Sequence, residues 1–481
     1  MRHLRVLAIQ SAAVLAAVLA FIPLGAATPA GPLYAIKGAR IHPVVGAPIA
    51  NGTIVMRNGV IEDVGANVTV PPDANVIDGT GLNVYPGLID MNNAAPIDTG
   101  DDAPAAAARG GGAGRAGGGG QTFATLEEAE RARRTSVLRP HFVVAENLRA
   151  GGPELQALAN AGITTVLAAP PAGIFKGQSA LVNVIVPADD PQISAVAEYR
   201  GGLSVVKSPV AAHVNMAGRG GGQGYPGSLL GTISFTKQGF MDAQWQRDAE
   251  AHYIRTGAKG PRPIVEPALN ALKPALAKQM PVVFDVNEAR EIDRALSMIK
   301  EFGLDGIIVG ASMAAERKTE LAAANVRVIL STNFPGPGGA GGGGGGGRGG
   351  GAGQSLRVIK LQADAPKVPA QLAQANVAFA FASGGATPAN FVRNAGRVIK
   401  EGGMTAEAVL RVLTLDAARI AGAADRVGSL EKGKIANVIV VEGDLFDGGR
   451  IRHVFVDGRA ADLTEPAPAA NPGRGGRGGT K

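Results

Sequence analysis

The stretch Val84-Tyr-Pro-Gly-Leu-Ile-Asp-Met-Asn-Asn93 decides the fold. A short apolar run, Leu88 to Met91, ends there on a group of polar side chains. That is the pattern of a buried strand whose far end opens into a site. Alternate residues of a strand point the same way, so polar groups two apart at such an end reach one place. Upstream, Leu33 to Val84 alternates strand-like pieces with turn signals: Tyr34 to Ile41, Gly52 to Arg57, Val60 to Val64 and Asn75 to Asp78. Asn58-Gly59 between two apolar runs predicts a tight hairpin. A small antiparallel sheet is expected, and it has a counterpart at the other end of the chain. There, Gly428 to Asp444 and Arg450 to Arg459 again alternate strand and turn.

Between these ends, strand-like runs alternate with helical patterns, as an eight-stranded α/β barrel requires. The expected strands are Leu88 to Met91, Ile163 to Leu167, Leu181 to Val186, Leu203 to Lys207, Pro281 to Val286, Gly306 to Val309, Val326 to Leu330 and Val377 to Phe381. Thr125-Leu-Glu-Glu128 reads as a capping box opening a polar helix. Ile292, Leu296 and Ile299 form one apolar helix face that stops at Gly303.

The chain has 481 residues, 46% of them apolar, enough for one large barrel with a satellite domain. Its 70 glycines are about twice the usual share, and the excess sits in runs: 109–120, 219–224, 335–353 and 472–480. Such runs cannot bury apolar area, so loops and a disordered tail over 464–481 are expected. Arg115, Arg219 and Arg348 give them an arginine-glycine character, but Met1 to Ala27 reads as a secretory leader: Arg2 and Arg5 precede the apolar run Ala12 to Ile22 and a small-residue Gly25-Ala-Ala-Thr region. Export, with the periplasm as destination, argues against a nucleic-acid partner, and no later stretch is apolar and long enough to span a bilayer. Losing the leader lowers the net charge from +7 to +5, and the absence of cysteine leaves neither disulfides nor thiolate metal sites.

The lead-in Asp78-Gly-Thr-Gly-Leu-Asn-Val-Tyr-Pro-Gly-Leu-Ile-Asp-Met91 resembles the opening of the amidohydrolase superfamily, especially its exported imidazolonepropionase-like branch. Gly428 to Asp444 and Arg450 to Arg459 resemble that family's closing strands. Thr405 to Gly422 resembles the helix pair that precedes them, and Gly224 to Gly231 with Phe240 to Trp245 resembles a signature of exported members. The resemblance runs from about Leu33 to Leu463 and implies a (β/α)8 TIM-like barrel, residues 86–423, inserted into a discontinuous β-sandwich of residues 33–85 and 424–463.

The resemblance also implies a metal, zinc or another divalent ion, that acidifies water and polarises a carbonyl. The family's strand one ends in His-x-His; here the matching positions are Asn92 and Ala94. Strand five carries Asp285 and Asn287 where active relatives have histidine. Strand six has Gly310 in the histidine slot, and after strand eight Ala382 or Ser383 stands for the aspartate. A carboxamide is a poor zinc ligand and a methyl group none, so no metal or other cofactor is expected. Of the six histidines, His3 lies in the leader, His42 and His453 in the sandwich and His252 in an expected helix, which leaves His141 and His213 as barrel candidates, and no two histidines lie within five residues of each other.

The remaining candidates at the mouth are Asp285, Glu288 and Lys207 for catalysis, with Asn92, Asn93, Asn287, Asn333 and Ser383 for substrate binding. Lys207 is read either as the bridging lysine of binuclear relatives or as half of a salt bridge. Trp245 and Asp242 are candidate pocket or interface residues. Three functions are carried forward: a degenerate amidohydrolase acting as a scaffold or as partner to an intact paralogue or to its own copies; a hydrolase of carbon-nitrogen bonds with an unconventional site; and a small-molecule binding module.

Overall fold

The computed structural model describes residues 32–98, 125–184, 198–216, 226–334 and 356–463. The expected leader, the glycine-rich runs and the tail therefore lie outside the described residues. In chain order the strands are β1 Leu33–Ile41, β2 Ile49–Arg57, β3 Val60–Gly65, β4 Asn75–Asp78, β5 Leu82–Pro86, β6 Leu88–Asn93, β7 Ile163–Ala168, β8 Phe175–Gln178, β9 Ala180–Asn183 and β10 Glu198–Arg200. They continue as β11 Leu203–Lys207, β12 Ala212–Asn215, β13 Val282–Val286, β14 Gly306–Gly310, β15 Arg327–Ser331, β16 Phe379–Ala382, β17 Val438–Glu442, β18 Arg450–Val456 and β19 Arg459–Ala460.

Both ends of the chain build one eight-stranded sheet in the order β19-β18-β17-β5-β1-β2-β3, with β4 on β1. The β2–β3 hairpin turns through Asn58 and Gly59, whose φ angles of 53° and 84° are those a two-residue turn needs. Ile36, Ile54, Met56, Val84, Val438 and Phe455 form the core of this sheet. A buried polar network locks it to the barrel. Asn437 Nδ2 donates to Thr165 Oγ1 at 3.0 Å and to Asn183 Oδ1 at 2.9 Å, and Asn183 Nδ2 donates to Asp457 Oδ1 at 2.8 Å. Its members satisfy one another, so the network specifies a single seating of sheet on barrel.

The barrel departs from eight parallel strands at one place. Only Ala169 to Ile174 separates β7 from β8, far short of the dozen or so residues a parallel crossover requires, so the chain turns straight back. β8 and β9, separated by Ser179 alone, form one descending stretch: β9 pairs antiparallel with β7, and β8 pairs antiparallel with β12. The chain then climbs again through β11 and β12, after which β12 to β16 are all parallel. The run Leu203 to Lys207 is thus the lower half of a bent strand whose upper half, Ala212–Asn215, carries no strong sequence signal. The ring closes where Ser383, just past β16, donates its backbone N–H to Asp90 of β6 at 2.9 Å.

Inside, Ile89, Met91, Leu167, Val283, Ile307 and Ile329 fill the barrel, and Ala417, Ala418 and Ile420 pack against them. Outside, helix Ala289–Phe302 lays Ile292, Ala295, Met298, Ile299 and Phe302 on the wall and ends at Gly303 in the left-handed conformation. Thr125 caps helix Leu126–Val137 through its hydroxyl. Among the described residues, no helix is long and apolar enough to cross a membrane.

The passage from sheet to barrel is made at Gly87, where a Cβ would lie 2.0 Å from Thr164 Oγ1 and 2.7 Å from Thr164 Cβ. Gly87→Ala is therefore expected to force β6 away from β7 and to cost about 1–3 kcal/mol, as overpacking does. Denaturant unfolding of the variant checks this; an unchanged midpoint contradicts so close an approach.

Candidate functional site

The C-terminal ends of β6 and β12 to β16 gather at one mouth, and β8, running the other way, begins there. Asp90 is fully buried beneath it. Its Oδ1 accepts from the backbone of Ser383 at 2.9 Å and of Asn92 at 3.2 Å, and its Oδ2 accepts from Asn93 Nδ2 at 2.9 Å. Burial pushes its carboxyl above the ordinary range, and these hydrogen bonds pull it back. Asn93 Oδ1 in turn accepts from Ala95 N at 2.8 Å. Asn93 and Ser383 are thereby structural ties around Asp90. Asn92 stands half-buried at the rim, and Ala94 is exposed.

Across the mouth, Asp285 ends β13 in the strand-five slot. Its Oδ2 accepts from Lys176 Nζ at 2.7 Å, while its Oδ1 is buried with no hydrogen-bond partner among the described residues. Lys176 sits at the irregular step where β8 pairs with β12, which aims it across β12 at Asp285. His213 lies beside them on β12, opposite Val283 of β13, and shares the inner face of the wall with that residue. It is 2% exposed, and neither ring nitrogen has a hydrogen-bond partner among the described residues. Burial first, then the Lys176 charge, lowers its pKa from 6.5 to about 3, with Asp285 opposing. His213 is therefore neutral at any ordinary pH. The mouth thus holds an ion pair with one open carboxylate oxygen above a neutral imidazole.

The other candidates are brought elsewhere. Lys207 donates to the carbonyls of Ala421 at 3.1 Å and Gly422 at 2.9 Å, anchoring the end of helix Ala417–Ile420. Among the described residues no carboxylate pairs with it. Glu288 is the exposed N-cap residue of helix Ala289–Phe302, and Glu291 Oε2 holds the backbone N–H groups of Asn287 and Glu288 at 2.8 and 3.1 Å. Asn333 is exposed and donates to the Gly384 carbonyl at 3.2 Å. Asn287 reaches β14, where its Oδ1 fills the space a side chain at Gly310 would need. A Cβ there would lie 2.6 Å from Asn287 Oδ1 and 3.0 Å from the Val286 carbonyl, on a backbone with φ of 93°. Lys176 escaped the sequence reading because β8 did; the signal was a lone lysine in the apolar run Ile174-Phe-Lys-Gly.

These residues do not fit the divalent cation that the fold's relatives use. Strand one offers a carboxamide and a methyl group, strand six no side chain, and the strand-five carboxylate already holds an ammonium that would repel a second cation.

Residues 354–461 match the amidohydrolase family. Among solved structures, an amidohydrolase from Thermotoga maritima MSB8 aligns over 89% of this chain and 99% of its own, with a TM-score of 0.68 and 19% identity, a likeness of fold. An A. niger ochratoxinase (14% identity, 90% and 96% covered, TM-score 0.48) and a putative prolidase from Bifidobacterium longum (14%, 90% and 95%, TM-score 0.46) align more loosely. No curated protein sequence matches.

Two outcomes test the geometry. Lys176→Met should destabilise the fold by about 2–4 kcal/mol by leaving Asp285 unpaired, and adding Asp285→Leu should recover part of that loss. Additive effects in the double-variant cycle contradict the pair. The second concerns pH. Because folding lowers the pKa of His213, the unfolded chain binds the extra proton, so its stabilisation is complete above about 6.5 and is lost as pH falls toward 3. Asp90 and Asp457, both raised by burial, contribute the opposite slope. The stability difference between wild type and His213→Leu should therefore change by at most about 1.4 kcal/mol per pH unit in that window and flatten above it.

Proposed function

We propose that the chain is a degenerate member of the amidohydrolase superfamily, which residues 354–461 match and whose fold the whole chain is similar to, and that it no longer hydrolyses through a metal and serves as a partner or scaffold. The observation that carries this reading is the Lys176 ammonium 2.7 Å from Asp285, in the slot of a metal ligand. A catalytic zinc needs about three protein ligands and an open position. Here the donors have been exchanged for an internal cation. The composition of Met1 to Ala27 supports export, with the periplasm as its site of action.

A second reading, a small-molecule binding module, is favoured by Asp285 Oδ1 and the two ring nitrogens of His213, which have no hydrogen-bond partner among the described residues. A ligand bearing both a donor and an acceptor, such as an amide or a lactam, suits that pair.

Purified without chelator, the protein should carry well under one equivalent of zinc, manganese or iron and should leave dipeptides, cyclic imides and lactams intact. Asn92→His with Ala94→His should not create turnover, since two ligands still lack a third and a proton carrier. Stoichiometric metal, or turnover abolished by Asp285→Ala, overturns the proposal. Binding of an intact amide with a thermal shift that Asp285→Asn removes would move the assignment to the binding module.

A further inference from the structure

Helix Leu229–Arg255 is about 40 Å long and lies against the outer wall of the barrel. Thr232, Thr236, Gly239, Phe240, Ala243 and Gln246 form its buried face. The seating is close: a Cβ at Gly239 would come within 2.5 Å of the Phe175 ring. On the opposite side, Leu230, Ser234, Lys237, Met241, Trp245, Asp248 and His252 fall within roughly 80° of one another at 3.6 residues per turn. Leu230, Met241 and Trp245 of that stripe are 72%, 47% and 68% exposed. Three of the eleven large exposed apolar side chains among the described residues thus line one face of one helix, a concentration rather than the usual scatter.

We propose that this stripe is the docking surface for a second copy of the chain, packed helix against antiparallel helix about a two-fold axis near Ala243. The order of the residues selects the occupant. From the N-terminal side the stripe reads basic Lys237, apolar Met241, apolar Trp245, acidic Asp248. In an antiparallel pair, Met241 meets Trp245 of the second copy, a sulfur-aromatic contact, Lys237 meets Asp248, and Ser234 meets His252, each contact made twice. A parallel pair would set Lys237 against Lys237 and Asp248 against Asp248, a repulsion on both sides. Within one chain Lys237 reaches Glu301 at 2.7 Å and Asp248 reaches Arg247 at 2.8 Å. Both are exposed pairs that bind little energy and stay compatible with a further partner. The rigid seating of the helix lowers the ordering cost of association. The stripe lies opposite the helix face that packs on the barrel wall and includes none of the mouth residues, so it stands independently of the function proposed above.

The single tryptophan of the chain is Trp245, so its fluorescence reports this surface without background. The full exported chain should sediment as a dimer, and its emission should move to shorter wavelength as concentration rises. Trp245→Glu should give a monomer with unchanged circular dichroism. Lys237→Glu and Asp248→Lys should each raise the dimer Kd by about tenfold or more, and the two together should restore it, because the swap re-creates the complementary order. A monomer at every concentration up to about 0.1 mM, where a Kd in the micromolar range would already give dimer, overturns the proposal. So does a dimer that Trp245→Glu leaves intact, or a double charge swap that stays as weak as the single ones. None of these results bears on metal content or hydrolysis.

Discussion

The rest of the structure depends on one buried carboxylate. Asp90 receives backbone N–H groups from its own strand and from the loop after β16, and so joins the first and last strands of the barrel. β6 and β16 share no regular hydrogen-bonded ladder, so the seam would otherwise be held by side-chain packing alone. Hydrogen bonds to a carboxylate are the stronger kind, and three donors offset much of what its burial costs. Asn93 completes the shell, which explains why an asparagine sits three places past the aspartate in a strand end that looks, by position, reserved for chemistry.

The mouth around this seam has a polar interior whose electrostatics are set by an ion pair. Relatives that bind a cation need anionic and imidazole donors directed at an open centre. Here the positive charge arrives covalently, as Lys176 on the reversed strand β8, and the carboxylate it meets is the one in the strand-five slot. The reversal is what makes this possible. A short β7–β8 turn places the start of β8 at the mouth, so a residue early in that strand lies level with the ends of β12 and β13. His213, on the same inner face, is kept neutral by the burial that the pair helps to maintain.

Much of this was legible from local pattern and some of it was not, for physical reasons. Asn58-Gly59, the Gly303 stop and the Thr125 cap each encode backbone geometry in one or two residues, and each is found where the sequence puts it. The parallel strands β13 to β15 announce themselves as apolar runs because both of their faces are buried. β8 and β12 are four residues each, and they carry Lys176, Gly177 and His213, so neither periodicity nor apolarity marks them. The side chains at the mouth divide in the same way. Which family positions lacked histidine could be read directly, whereas the partner of Asp285 depended on a strand whose direction follows from loop length and not from composition. Lys207 looked like a mouth residue only because β11 was taken for a complete strand; it is half of one, and its ammonium serves two helix-end carbonyls instead.

A position that lacks a metal ligand only for want of a side chain could be refilled by one substitution. At β14 the constraint reaches the backbone. Gly310 has a φ of 93°, a region that side chains bearing a Cβ rarely enter, and Asn287 from the neighbouring strand end occupies the space its Cβ would take. Placing histidine there would require the backbone to rotate, yet Ala311 N donates to the Val286 carbonyl at 2.7 Å and ties that segment to β13. Rotation would also disturb Asn287, whose own N–H is held by Glu291 at the start of the next helix. The vacant strand-six slot is therefore supported by a chain of contacts running from the strand end to a helix cap. A site surrounded by such contacts is held in its present form by packing, and its ion pair belongs to the architecture of the mouth.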